Sequence, residues 1–124
     1  MNRLDTIFAT ADDAASFARG YLDYLGQIIA DLDEHAIAAF IDILLAARER
    51  GARIFFIGNG GSAATASHFA NDIAIGTRSP EKPFRAISLT DNAAMMTAIA
   101  NDDGYDEVFV QQLQTLMAPG DVVV

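Results

Sequence analysis

The chain has 124 residues and a formal net charge of −9, from 17 acidic and 8 basic residues, and it contains no cysteine. This length predicts one domain, and the 52% of apolar residues suffice for a hydrophobic core. The acidic balance disfavours nucleic acid and anionic membranes as partners, and the lack of thiols excludes disulfides. No apolar run is long enough to cross a bilayer, and the first residues lack the order of a signal peptide, so we expect a cytoplasmic protein.

Two amphipathic helices are predicted ahead of the first strand. After a lead-in over residues 1–10, apolar side chains three and four apart predict a helix over residues 11–30. Acidic residues at 31–34 supply a cap and first-turn acids for a second helix, which ends near Gly51. The first helix has a wide aromatic face, which indicates either a contact with another subunit or a cover for its own domain.

The strongest signal is an apolar run followed by a glycine-rich turn. Residues 54–57 are four consecutive large apolar residues, typical of a strand buried on both faces. Glycines within 58–61 end that strand, and Ser62 begins an alanine-rich helix that is predicted to run to about Ile75 and to stop at Gly76. Such a turn leaves backbone N–H groups unpaired at the positive end of the helix dipole. We therefore predict a phosphate site whose binding residues are Asn59, Gly60, Gly61 and Ser62.

The turn does not match the common nucleotide-binding motifs. No lysine follows the glycines, as a Walker loop requires, and the third glycine of Gly-x-Gly-x-x-Gly is missing. The alternative to a phosphate site is an ordinary strand-to-helix turn in which Ser62 is the helix N-cap and no ligand binds.

The predicted helix after the turn carries His68 and Asp72, which share a face because they are four residues apart. That face lies about two turns from the predicted phosphate site, which places two titratable groups next to an anion. The alternative is that His68 is a solvated or capping side chain.

Polar side chains also follow the second predicted strand, at residues 84–89. Ligands bind at the carboxyl ends of the strands in open parallel sheets, so Asp91 and Asn92 are expected to face the same crevice as the glycine turn. Both are candidates for binding ligand hydroxyls, and either can instead cap the third helix, predicted to end at Ala100. The basic loop over residues 77–82 either reaches the same ligand or is a solvated turn.

Three segments, residues 58–63, 67–70 and 98–105, resemble the sugar isomerase (SIS) domain family, in its phosphoheptose isomerase (sedoheptulose 7-phosphate isomerase) branch. The resemblance implies a three-layer α/β/α fold with a flavodoxin-like parallel sheet and an N-terminal helical hairpin. Residues 1–52 would be the oligomerisation helices of a homotetramer with substrate sites between subunits. Residues 53–124 would be the N-terminal half of the SIS domain, with only its first three strands.

The resemblance also implies an activity, the aldose–ketose isomerisation of a sugar phosphate, from sedoheptulose 7-phosphate to a heptose 7-phosphate. The family carries His-x-x-x-Glu on the helix after the glycine turn, with the glutamate as base and the histidine able to ligate zinc. The matching residues here are His68 and Asp72, whose carboxylate is one methylene shorter. By resemblance both are catalytic and His68 is a metal ligand, but a catalytic zinc uses three protein ligands, so zinc stays an open alternative.

Two functions of other classes fit the same residues. One is a non-catalytic SIS protein that binds a partner protein, like the replication-initiator-binding relative, and the other is a sensor that binds a sugar phosphate without converting it. Asp72 favours the enzyme, because a binding protein has no need of that carboxylate. Residues 121–124 begin a third buried strand with nothing to cover it, so the chain looks truncated and we expect an incomplete active site in it alone.

Overall fold

A computed structural model describes residues 2–124, which form six α-helices and three strands. In chain order these are α1 Arg3–Thr10, α2 Ala14–Ala30, α3 Glu34–Glu49, β1 Arg53–Phe56, α4 Gly61–Asn71, β2 Arg85–Ser88, α5 Ala93–Asp102, α6 Val110–Leu116 and β3 Val122–Val123. A π-helical turn, Asp72–Gly76, continues α4, and a 3₁₀ turn, Tyr105–Glu107, lies between α5 and α6. The chain divides into two compact units, with the boundary after Ala38 inside α3.

The first unit contains a helix that the sequence analysis missed. Residues 3–10 were expected to be a lead-in but form α1, because Asn2 and Asp5 make a reciprocal capping box that satisfies the first backbone N–H groups. Gly20, in α2, allows close packing on α1, because a Cβ on this residue would lie only 2.7 Å from the Cγ2 of Ile7 and would clash with it. Met1 lies outside the described residues.

The sheet has three parallel strands in the order β2-β1-β3, which confirms the predicted fold class. Ile54 pairs with Ala86 on one side and with Val122 on the other, so β1 is the central strand. Its residues Ile54, Phe55 and Phe56 are at most 2% exposed, as their continuous apolar run predicts.

One face of the sheet forms the main core and fixes α4 in place. Ile54 and Phe56 pack there with Leu44 and Ala47 of α3 and with Ala66 and Ala70 of α4. The ring of Phe69 lies 4.8 Å from that of Phe56, and the small alanines let the helix approach the strand closely. This packing holds the N-terminus of α4 at the carboxyl end of β1.

Asp121 directly precedes β3, an edge strand of the sheet, and anchors this strand to β1. Its carboxylate accepts from the Arg53 backbone N–H at 2.7 Å, the Arg53 Nε at 2.9 Å and the Ala118 N–H at 2.9 Å. Burial raises the pKa of Asp121, but these donors and the Arg53 charge outweigh burial and bring the pKa below its ordinary 3.8. The ionised anchor therefore stabilises the fold above about pH 4, and this contribution is lost as pH falls through the lowered pKa.

Candidate functional site

The glycine turn leads directly from β1 into α4. Gly60 is the N-cap of α4, with a φ of 55° that favours glycine, and α4 begins at Gly61. The prediction that Ser62 caps the helix is therefore wrong. Ser62 lies inside the first turn and its N–H donates to the Asn59 carbonyl at 2.9 Å. Its hydroxyl has no hydrogen bond to any residue in the range 2–124.

The turn presents a row of unpaired donors. The backbone N–H groups of residues 58–61 donate no hydrogen bond to residues 2–124. Gly58 lies in close contact with the first turn of α4, where a Cβ on this residue would be only 2.5 Å from the Ser62 carbonyl oxygen. Unpaired N–H donors at a helix N-terminus suit an anion with several oxygen acceptors.

His68 and Asp72 are brought together, as their spacing predicts. His68 Nε2 lies 3.2 Å from Asp72 Oδ2, and the two side chains are 77% and 57% exposed. They line an open cavity of about 420 Å³ with Ala64, Thr65 and Phe69. The same helical face thus runs from the first turn of α4, next to the unpaired N–H groups, to this histidine–carboxylate pair.

Asp72 begins the π turn, which the sequence analysis did not predict. The α-helix was expected to continue to about Ile75, but it ends at Asn71 and widens over Asp72–Gly76. Single π turns inside helices are frequent at functional sites, since the wider turn changes the direction of the side chains that follow.

The loop after β2 meets α4 through a cluster of hydroxyl groups. Ser67 Oγ lies 2.9 Å from Thr90 Oγ1, which lies 2.7 Å from Ser88 Oγ. Ser67 also donates to Asp91 Oδ1, so a carboxylate from this loop is held against α4. The sequence analysis missed the roles of Ser67, Ser88 and Thr90. The available signal was Ser67, a polar residue that follows Ala66 on a helix that packs against the sheet.

Asn92 and Asp91 have different structural roles. Asn92 is the N-cap of α5, accepting from the Met95 N–H at 3.0 Å, so its alternative role as a cap is confirmed. Asp91 does not cap the helix, and its Oδ2 has no hydrogen bond within residues 2–124. Helix α5 itself extends to Asp102, two residues past the predicted end.

The basic loop after the π turn is tied to α3. Lys82 pairs with Glu49 and holds the pKa of that carboxyl below its usual value. Arg48 donates from Nε to the Lys82 carbonyl at 2.6 Å and from Nη2 to Ser79 Oγ at 2.8 Å. These contacts give Lys82 a structural partner on α3.

Zinc does not fit the residues described. Within residues 2–124, no third histidine, cysteine or carboxylate joins His68 and Asp72 in a group that could hold a metal ion. A catalytic zinc uses three protein ligands, so the pair alone does not make a zinc site. Among the same residues, no helix has both the length and the apolar character needed to span a bilayer.

Comparison with known proteins gives consistent matches. A family model described as the SIS domain matches residues 16–124. A probable phosphoheptose isomerase of Thermoplasma acidophilum is 40% identical over 107 residues, covering 86% of this chain and 59% of the relative. The phosphoheptose isomerase of Solidesulfovibrio magneticus is 40% identical over 124 residues, covering 99% of this chain and 56% of the relative.

Solved structures agree with the sequence matches. The chain is similar to a phosphoheptose isomerase from Neisseria gonorrhoeae, with a TM-score of 0.71 and 34% identity over 89% of this chain and 55% of that one. A phosphoheptose isomerase from Francisella tularensis gives a TM-score of 0.74 and 26% identity over 99% of this chain and 60% of that one. The chain thus spans a little over half the length of these relatives.

Proposed function

The chain belongs to the SIS domain family, and we propose that the protein containing it is a phosphosugar isomerase that converts sedoheptulose 7-phosphate to a heptose 7-phosphate. The relatives with this name support the substrate. The observation that carries the proposal is the placement, on one helix, of free N–H donors at the N-terminus and a histidine–carboxylate pair further along. The cavity beside His68 and Asp72 begins at Ala64, in the first turn of α4 next to these donors. Ala64 lies about 6 Å from His68 along the helix axis, a span that a sugar phosphate can cover.

An aldose–ketose isomerisation needs a base and a proton donor. The base removes a proton from the hydroxyl-bearing carbon next to the carbonyl while the carbonyl oxygen gains a proton, which gives an enediol. A proton then returns to the former carbonyl carbon while the neighbouring hydroxyl loses its proton and becomes the new carbonyl. We assign the role of the base to Asp72. We assign to His68 the transfer of the proton between the two oxygens, and its Nε2 lies 3.2 Å from Asp72 Oδ2. The phosphate, bound at residues 59–62, positions the reacting carbons through binding energy remote from them. Asp91 Oδ2 and the Asn92 amide are assigned to sugar hydroxyls, and no step is routed through a metal.

Binding and turnover in the intact protein test this function. Sedoheptulose 7-phosphate should bind and be converted, whereas the unphosphorylated sugar should bind at least tenfold more weakly, because charge-assisted hydrogen bonds at the turn are lost. Binding without conversion would favour a sugar-phosphate sensor. No binding of either sugar, together with capture of a partner protein, would favour a non-catalytic binding protein.

We place the protein in the cytoplasm, where phosphorylated sugars occur.

Replacement of Ser62 by alanine should weaken sugar-phosphate binding. Because the Ser62 hydroxyl is not used as a helix cap, the variant should fold with unchanged stability and lose about 1–2 kcal/mol of binding free energy. Isothermal titration calorimetry of both proteins with the sugar phosphate measures this. Thr97→Ala is a matched control on α5, outside the lining of the cavity beside His68 and Asp72, where the hydroxyl already donates to the Ala93 carbonyl at 2.7 Å. Equal affinities of parent and Ser62→Ala would remove Ser62 from the site.

We further propose a homotetramer assembled through the N-terminal helices, with residues 1–52 as the oligomerisation region. The support is the apolar face of α2, where Tyr21 is 42% and Ile28 is 45% exposed. Covering such side chains with another subunit removes apolar surface from water.

The double substitution Tyr21→Glu with Ile28→Glu should break the assembly into monomers or cause aggregation, because charges buried in an apolar interface are strongly unfavourable. Light scattering on the intact protein gives the mass directly. Gln27→Glu is the control, since it adds a charge at an exposed polar position of the same helix and should leave the mass unchanged. A monomeric parent protein would contradict the proposal.

A further inference from the structure

Tyr105 makes a hydrogen bond that links the 3₁₀ turn after α5 to the glycine turn. Its hydroxyl donates to Asn59 Oδ1 at 2.8 Å, across 46 residues of sequence. This is the one hydrogen bond of the Asn59 side chain among residues 2–124. Residues 98–105 carry part of the family resemblance, but the sequence predicts no separate role for Tyr105.

The bond determines which end of the Asn59 amide is available. An asparagine side chain has an oxygen that accepts and an NH₂ group that donates. Because the Tyr105 hydroxyl donates to Oδ1, the Asn59 amide cannot rotate that oxygen toward the backbone of the glycine turn without losing this hydrogen bond. The NH₂ group is left free, next to the unpaired backbone N–H groups of residues 58–61. The turn then offers hydrogen-bond donors, which a fully ionised phosphate requires.

The position of Tyr105 points to an orienting role. Gly104, with a φ of 108°, ends α5 and begins the 3₁₀ turn that carries Tyr105. The Tyr105 side chain is 59% exposed, so its ring is not part of the core. Within residues 2–124, the Tyr105 hydroxyl makes one hydrogen bond, the one to Asn59.

We propose that Tyr105 is a positioning residue that fixes the Asn59 amide as a donor and thereby makes the turn selective for a phosphate oxygen. This inference rests on the proposed function for the identity of the full ligand, a sugar phosphate. It does not require turnover, because inorganic phosphate presents the same acceptor atoms to the turn. Removal of the hydroxyl leaves the amide free to rotate and to present Oδ1, which repels phosphate.

Tyr105→Phe in the intact protein tests the proposal in two ways. The side-chain NH₂ resonances of Asn59 in nitrogen-15 NMR spectra should shift, and the Kd for inorganic phosphate should rise about five- to tenfold, as expected for one lost hydrogen bond. Tyr24→Phe is the control, since the Tyr24 ring lies 6.0 Å from Arg3 and its hydroxyl makes no hydrogen bond within residues 2–124. It should change neither quantity.

Each outcome of the Tyr105→Phe experiment tests a different part of the proposal. Unchanged Asn59 resonances in Tyr105→Phe would overturn the hydrogen bond, and shifted resonances with an unchanged phosphate Kd would overturn the selectivity. Where the parent turns over the sugar phosphate, the variant should show a raised KM with kcat within about twofold, because uniform binding is lost and the reacting pair is untouched. A parent that binds phosphate but converts no sugar would refute the proposed isomerase, and a raised phosphate Kd in Tyr105→Phe would then still support the role of Tyr105.

Discussion

Asp72→Asn is expected to lower kcat for the sugar-phosphate isomerisation by about 10²- to 10⁴-fold, the usual contribution of a general base. The amide keeps the shape of the carboxylate and loses its basicity. Stability should change by less than about 1 kcal/mol, since the His68–Asp72 pair is mostly exposed and such pairs contribute little. Steady-state kinetics of the intact protein, with circular dichroism as a check of the fold, measure both effects.

Asp72→Glu is the matched variant, because it keeps the charge and restores the side-chain length that the family uses. Asp72 is more than half exposed, so the longer side chain has room. This variant should turn over at or above the rate of the parent, because it returns the carboxylate to the reach implied by the family resemblance, and a displacement of about 1 Å can cost about a hundredfold. If Asp72→Asn and the parent turn over equally, Asp72 is not the base.

Gly58→Ala should be the most disruptive change in the glycine turn. Its Cβ would lie 2.5 Å from the Ser62 carbonyl oxygen and 2.6 Å from the Ser62 carbonyl carbon, which are backbone atoms of the first turn of α4. Relief of this clash requires the turn to move away from the helix. We expect a loss of about 2 kcal/mol in the free energy of unfolding and at least a tenfold loss in phosphate affinity.

Gly61→Ala is the control for this substitution. A Cβ at Gly61 meets no atom within 4 Å, and alanine favours the helix by about 1 kcal/mol over glycine. Chemical denaturation should therefore show Gly61→Ala at least as stable as the parent and Gly58→Ala less stable. If Gly58→Ala matches the parent in stability and phosphate affinity, the turn does not have the close contact described here.

The sheet and its helices follow from patterns that are local in sequence. The run of apolar residues at 54–57 predicted a buried strand, and β1 is the central strand, although it is shifted by one residue to Arg53–Phe56. The spacing of His68 and Asp72 predicted a shared face, and the two side chains lie 3.2 Å apart. Strand burial and helical periodicity both depend on residues that are close together in sequence, so a sequence pattern predicts them.

Errors occurred where backbone geometry competes with side-chain preference. Ser62 matched the residue types favoured at N-caps, but the positive φ at Gly60 places the cap two residues earlier. Asn2 and Asp5 form a capping box over a stretch too short for periodicity to be clear. The π turn at Asp72–Gly76 has no simple sequence pattern, since its extra residue per turn is accommodated by packing.

The least predictable features join residues far apart in sequence. Ser67 meets Thr90 across 23 residues, and Tyr105 meets Asn59 across 46. Each contact depends on how α4, the end of β2 and the turn after α5 converge at the carboxyl end of the sheet. Spacing along one element carries no information about such contacts, so they emerge only from the folded chain.

The most direct measurement of the proposed function is proton exchange at the substrate carbon. The intact protein is incubated with sedoheptulose 7-phosphate in heavy water, and the hydrogen on the carbon next to the carbonyl is followed by proton NMR. We predict that the parent replaces this hydrogen with deuterium, that Asp72→Glu also does so, and that Asp72→Asn does not. Exchange that persists in Asp72→Asn would contradict the assignment of the base, and a parent that shows neither exchange nor conversion of the sugar would contradict the isomerase itself.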